Sequence, residues 1–250
     1  MNIITQILGL VIVFLTFGLI LIFSLPLKKR PPLLFRSIPA VESLKRGLGL
    51  AIEQGTQIHI SLGKASLTDP SCASTLASLT SLEKIAESSV AGDLPPVVTT
   101  GEGGINLLSR DALQAACLAG KAPELYDPQS ARLTGVTPFA YAAGSLPIIY
   151  SGTVTTNVLT GHFGSEVVLL TEAAEKTDSQ LFTASDSLQA QAVMYASTEN
   201  TLLGEEIFAL PAYLGEKRIH QASLYAQDYL RLILVLALIA GAILTFLGYL

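Results

Sequence analysis

Residues 151–164 read SGTVTTNVLTGHFG, and residues 54–66 read QGTQIHISLGKAS. Each opens on a Gly-Thr turn, passes through a β-favouring run, and closes on a glycine, Gly161 in one and Gly63 in the other. After each glycine the pattern turns helical. CASTLASLTSLEKIAESS (72–89) spaces Leu76, Leu79, Leu82 and Ile85 along one helical face. Thr68 or Asp69 is placed to cap that helix, with Pro70 in its first turn. In the later stretch, SEVVLLTEAAEKTD (165–178) offers Ser165 as the cap.

Working outward, a second short apolar strand follows each helix: PPVVTTGEGG (95–104) and SQLFTASDS (179–187). Thr99-Thr100-Gly101-Glu102-Gly103 aligns with Thr183-Ala184-Ser185-Asp186-Ser187, sharing the order Thr, small, small, acid, small. Helical runs come next, INLLSRDALQAACLAG (105–120) and LQAQAVMYAST (188–198), and even the exits PELYDP and EEIFALP rhyme weakly. Each half therefore reads β-α-β-α. The expected fold is α/β: two duplicated Rossmann-like halves related by pseudo-two-fold symmetry around a parallel sheet.

The glycine-rich VVTTGEGGIN (97–106) has two readings, a phosphate cradle or a tight turn from strand into helix. A dinucleotide fingerprint needs a third glycine where Asn106 stands, and a phosphate-binding P-loop needs a Lys followed by Ser or Thr. The acid recurs in both halves, and an acid beside a helix N-terminus caps free N–H groups and opposes the dipole. Capping is thus the favoured role of Glu102 and Asp186. The alternative is a ligand site at the carboxyl ends of the strands, lined by Gly63, Gly101, Glu102, Gly103, Gly161, His162, Ser185 and Asp186. A parallel sheet brings TGHFGSE, TTGEGG and TASDS to one edge, where His162, Glu102 and Asp186 are expected to converge. Lys64 stands in the first half where His162 stands in the second, and no nucleophile is singled out, so no catalytic residue is assigned. His59, between Ile58 and Ile60, faces outward or is a satisfied polar group.

Between the halves, LTGVTPFAYAAGSLPIIYSGTV (133–154) carries no charge. Two prolines and three glycines make it a poor membrane helix, and PIIYSGTVTTNVL suggests a hairpin about Ser151-Gly152. The rest of this join is core between the halves or a subunit interface, with core preferred.

The ends of the chain have another character. Ile3–Leu25 runs 23 residues without a charge and Leu232–Leu250 runs 19. Each is long enough, as a helix, for a hydrocarbon core of roughly 30 Å. No Lys or Arg precedes the first run, which exceeds a signal-peptide core, so it reads as a retained anchor. Lys28, Lys29, Arg30 and Arg36 follow the first run, and Arg231 abuts the second. Positive flanks stay inside, so the chain is expected to cross a plasma membrane twice, with its soluble part cytoplasmic and both termini outside. The expected divisions are a membrane helix at 3–25, a basic juxtamembrane linker or helix at 26–49, and a first α/β half at 50–132. An apolar join at 133–150, a second half at 151–218, and a helix at 219–250 with its span at 232–250 complete them. In that helix, Ala240, Gly241 and Ala242 are small enough for close helix approach.

From residue 50 to 228 there are 19 acidic and 8 basic side chains, a net of −11 that repels phosphate backbones and argues against nucleic acid as a partner. Cys72 and Cys117, in helices with small or apolar neighbours, read as free thiols. With no CxxC, His/Cys cluster or HExxH, no metal or cofactor is expected.

LTGVTPFAYAAGSLPI, VLTGHFGSEVVLL and ASDSLQAQAVMYAS resemble an uncharacterised family of membrane-anchored prokaryotic proteins, a domain of unknown function. The resemblance implies a recurring domain and no reaction. The leading expectation is a membrane-anchored, self-associating scaffold whose partners are the bilayer, further copies of itself and other membrane proteins. The alternative is a sensor or binding protein for a small polar ligand at the strand edge, and the third a hydrolase or transferase there.

Overall fold

The computed structural model describes residues 3–25, 36–215 and 218–246. They form two compact units, one drawn from the two ends of the chain and one spanning Arg36–Gly215. The expected basic run Lys28–Arg30 lies outside the described residues.

The Arg36–Gly215 unit is a six-stranded, all-parallel sheet covered by helices on both faces. In chain order its strands are β1 (Gln57–Gly63), β2 (Val97–Thr100), β3 (Ala131–Leu133), β4 (Val154–His162), β5 (Gln180–Ser185) and β6 (Thr201–Leu203). They lie side by side as β3-β2-β1-β4-β5-β6, with the two glycine-closed strands β1 and β4 at the centre. Alternate residues point to opposite faces of a strand, and both faces here are buried. Ile58, Ile60, Leu62, Val98, Val158 and Phe182 belong to one core, whereas Leu159 and Leu181 belong to the other. Helices Pro39–Gln54, Cys72–Val90 and Gly103–Ala119 (α2, α3 and α4) close the first face together with the short α8 (Leu210–Leu214). Helices Pro138–Ile149, Val167–Lys176 and Leu188–Ser197 (α5, α6 and α7) close the second.

Several expectations need correction. The sheet has six strands rather than the four expected, because the three-residue β3 and β6 add edges that are too short to show a period. The join contains α5 rather than one arm of a hairpin, and β4 pairs in parallel with β1. Thr137 starts α5 by accepting from Ala140 N, and Tyr141, Ala142 and Ile149 are buried in the second core, whereas Val136 and Phe139 are exposed. That burial offsets the poor intrinsic propensity of a helix holding Pro147 and Gly144. Within the expected basic linker or helix, the described residues form α2, whose amphipathic run carries on to Gln54, where Gly55 ends it at φ 63°.

In the other unit, α1 (Ile3–Ser24) packs on α9 (Arg218–Phe246), with the Phe23 ring stacked on Tyr229 at 5.2 Å and tilted against Tyr225 at 5.9 Å. Among the described residues one helix, Ile219–Phe246, is long and apolar enough to cross a membrane, and none of its apolar window is buried. Gly9–Ser24 forms a shorter apolar helix.

Candidate functional site

The order of the strands decides where a site can form. β1 leads into α3 on one face and β4 into α6 on the other, so the chain parts in opposite directions at their carboxyl ends. Such a switch point is where open parallel sheets hold ligands. All eight expected site residues lie at the carboxyl ends of β1, β2, β4 and β5. Gly63 pairs with His162, Gly161 pairs with Ser185, Asp186 follows directly, and Gly101 N donates to Gly63 O at 3.0 Å. Lys64 N in turn donates to His162 O at 2.9 Å, stitching the two central loops together.

Glu102 and Asp186 take different roles. Glu102 takes the N-cap of α4, its Oε2 accepting from Ile105 N at 2.7 Å, and Gly103 opens the helix. Asp186 does not cap. Its Oδ1 accepts from His162 Nδ1 at 2.8 Å, and α7 has Ser187 at its N-cap with no side-chain cap bond. The edge thus brings His162 and Asp186 together while Glu102 is spent on its own helix. Because a carboxylate only accepts, His162 Nδ1 carries the proton that is shared with Asp186, and in the neutral ring Nε2 keeps its lone pair. The two side chains are 35% and 25% exposed. An imidazole oriented in this way can bind a donor or move a proton at Nε2. Among the described residues no nucleophilic side chain bonds to the pair, and no three metal-ligating side chains cluster.

Two caps also differ from expectation. Ser71, not Thr68 or Asp69, precedes α3, and its side chain makes no capping bond. Before α6 the buried Glu166 occupies the cap position, accepting from Gly164 N at 2.9 Å, while Ser165 contributes only its carbonyl.

Beneath the edge runs a polar row that the sequence reading did not assemble. Asn157 Nδ2 donates to Ser179 Oγ at 2.7 Å, which leaves Asn157 Oδ1 to accept from His59 Nδ1 at 2.8 Å. His59 Nε2 then accepts the Thr99 hydroxyl at 2.9 Å. His59 is completely buried, and that burial lowers its pKa to about 4 against the raising effect of the Asn157 bond. Tyr141, reaching over from α5, bonds to Ser61 and accepts from Gly63 N at 3.2 Å; burial pushes its hydroxyl up to about 12. One signal was available: His59 and Asn157 each stand four residues before the glycine that closes their strand. Cys72 and Cys117 are free thiols in α3 and α4, and burial raises the pKa of Cys117.

Fold and edge together define a doubly wound α/β protein with a carboxylate-oriented histidine at its switch point. The chain belongs to the family described as a domain of unknown function (DUF6754), whose model matches residues 2–250. No curated protein and no solved structure matches it.

Proposed function

We propose that this protein is a membrane-anchored scaffold that associates with copies of itself through its α/β unit. The observation that carries the reading is the unit's exposed apolar surface. Leu107 and Leu118 lie three turns apart on α4, at 61% and 59% exposure, and Leu188 and Tyr195 lie two turns apart on α7, at 83% and 71%. Val136 and Phe139 add a third exposed group at the start of α5. Exposed large apolar side chains on three helices of one unit are what a subunit interface would cover.

In this reading both terminal helices cross the membrane and the α/β unit is cytoplasmic, supported by the 22-residue α1 and by the positive charges that follow it. Confinement to two dimensions raises the effective concentration of copies. Duplication of the α/β unit belongs to the same reading. Its support is that Thr99 and Thr183 each pair with the residue two before the closing glycine, Ser61 and Leu159 respectively.

Mass photometry of the full chain in mild detergents tests the scaffold. Wild type should run as an oligomer, and Leu188→Asp with Tyr195→Asp should lower the mass without moving the melting temperature. A monomer in every detergent rejects the reading. The second reading, binding of a small polar ligand at the carboxyl edge, draws on the His162–Asp186 pair.

A further inference from the structure

On the face opposite α5, helices α2, α3 and α8 frame an open cavity of about 340 Å³. Its walls are apolar, formed by Leu48, Ile52, Ile85 and Leu214, and Lys45, Lys84 and Ser88 supply its polar part. Lys84 Nζ is paired with Glu87, whereas Lys45 has no ion-pair partner among the described residues. Ser88 donates to Lys84 O at 3.0 Å, leaving its oxygen lone pairs available to a donor. The volume lies within the roughly 300–1,000 Å³ usual for small-molecule sites.

We propose that this cavity binds an anionic phospholipid, with its phosphate between Lys45 and Lys84 and the first acyl carbons against Leu48, Ile52, Ile85 and Leu214. Each part of such a ligand finds its complement. Hydrocarbon gains by leaving water for the apolar wall, and the Lys45 ammonium draws phosphate, with Lys84 adding a donor already shared with Glu87, whereas a zwitterionic headgroup brings its own cation against Lys45. A free inorganic phosphate would leave the wall wet. The place in the chain fits as well: Leu214 lies five residues before Ile219, where the membrane-length helix begins, and α2 follows the basic run of residues 28–36. The proposal rests on the chain entering a membrane and not on self-association.

The full chain, purified in an uncharged mild detergent, is titrated with dioctanoyl phosphatidylglycerol, dioctanoyl phosphatidylcholine, octanoate and inorganic phosphate, with binding read by native mass spectrometry and thermal shift. Phosphatidylglycerol should bind and raise the melting temperature; Lys45→Gln should weaken it about fivefold, the worth of one charge near a lipid surface, and Lys84→Gln by less, because Glu87 already pairs with Lys84. Gly49 supplies the decisive variant. It lines the cavity, and a Cβ there meets nothing within 4 Å. Gly49→Leu therefore fills the space while favouring the helix, and should abolish binding with no loss of stability in the absence of lipid. Equal binding of the two phospholipids, or retention by Gly49→Leu, overturns the proposal. Phosphate or octanoate binding as tightly as the phospholipid overturns it too, since either half alone would then suffice. The titration is carried out in detergent at any oligomer mass, so failure of the scaffold and failure of the lipid site are read separately.

Discussion

Gly63 and Gly161 each make room for the other's strand. A Cβ on Gly63 would stand 2.2 Å from the carbonyl oxygen of His162, and one on Gly161 would stand 2.3 Å from that of Leu62. Both lie at positive φ, 72° and 136°, so alanine meets strain as well as backbone.

Gly63→Ala and Gly161→Ala should each cost about 2–4 kcal/mol, read as a lower urea midpoint for the full chain in detergent. Gly103→Ala is the control, since a Cβ there meets nothing within 4 Å and its φ is not positive. It should be close to neutral. Equal losses at all three positions would show that the crossing of β1 and β4 is not what demands glycine.

Stability should fall with acid through His59. Its folded pKa, about 4, lies below the ordinary imidazole value of 6.5. The unfolded chain therefore binds the proton first as the pH drops. The stabilisation is fully present above about 6.5, is lost progressively between about 6.5 and 4, and amounts to about 3 kcal/mol at most. His59→Gln should flatten that part of the profile in urea unfolding at stepped pH. An unchanged slope in the variant would assign the acid sensitivity to other groups.

The two acids should separate on mutation. Glu102→Ala removes the cap on Ile105 N and should cost about 0.5–2 kcal/mol. Asp186→Ala removes a partly exposed pair and should cost less than about 1 kcal/mol. A melt series ranking Asp186 above Glu102 would contradict this division.

Asp186→Ala should instead act on the ring of His162. With the carboxylate present, Nδ1 holds the shared proton; without it, imidazole nitrogen shifts should move toward a mixture of tautomers. The readout is nitrogen-15 NMR of the full chain labelled at histidine. The signal of His59, held by Asn157 and Thr99, should not move.

Local features were legible because neighbours in sequence create them. The glycine-closed strands β1 and β4, the 3.6-residue period of α3 and the cap of Glu102, acting over three residues, all arise within a few positions. The parallel α/β class followed from their alternation. Features without a local period were not legible. β3 and β6 are three residues long, and α5 has a sequence that favours turns yet folds as a helix because Tyr141, Ala142 and Ile149 gain burial.

By itself, the sequence determined the longer periodic strands and helices, where glycine closes β1 and β4, and that the C-terminal run is long and apolar enough for a bilayer, because backbone sterics and side-chain periodicity act at short range. Only the tertiary structure decided which acid caps and which meets a histidine. Asp186 and Glu102 occupy matching places in the sequence, but the pairing of β4 with β5 sets Asp186 beside His162, 24 residues away, and an imidazole N–H then competes with the helix for the carboxylate. The same holds for His59, whose partners Asn157 and Thr99 lie 98 and 40 residues away and reach it through the strand order alone.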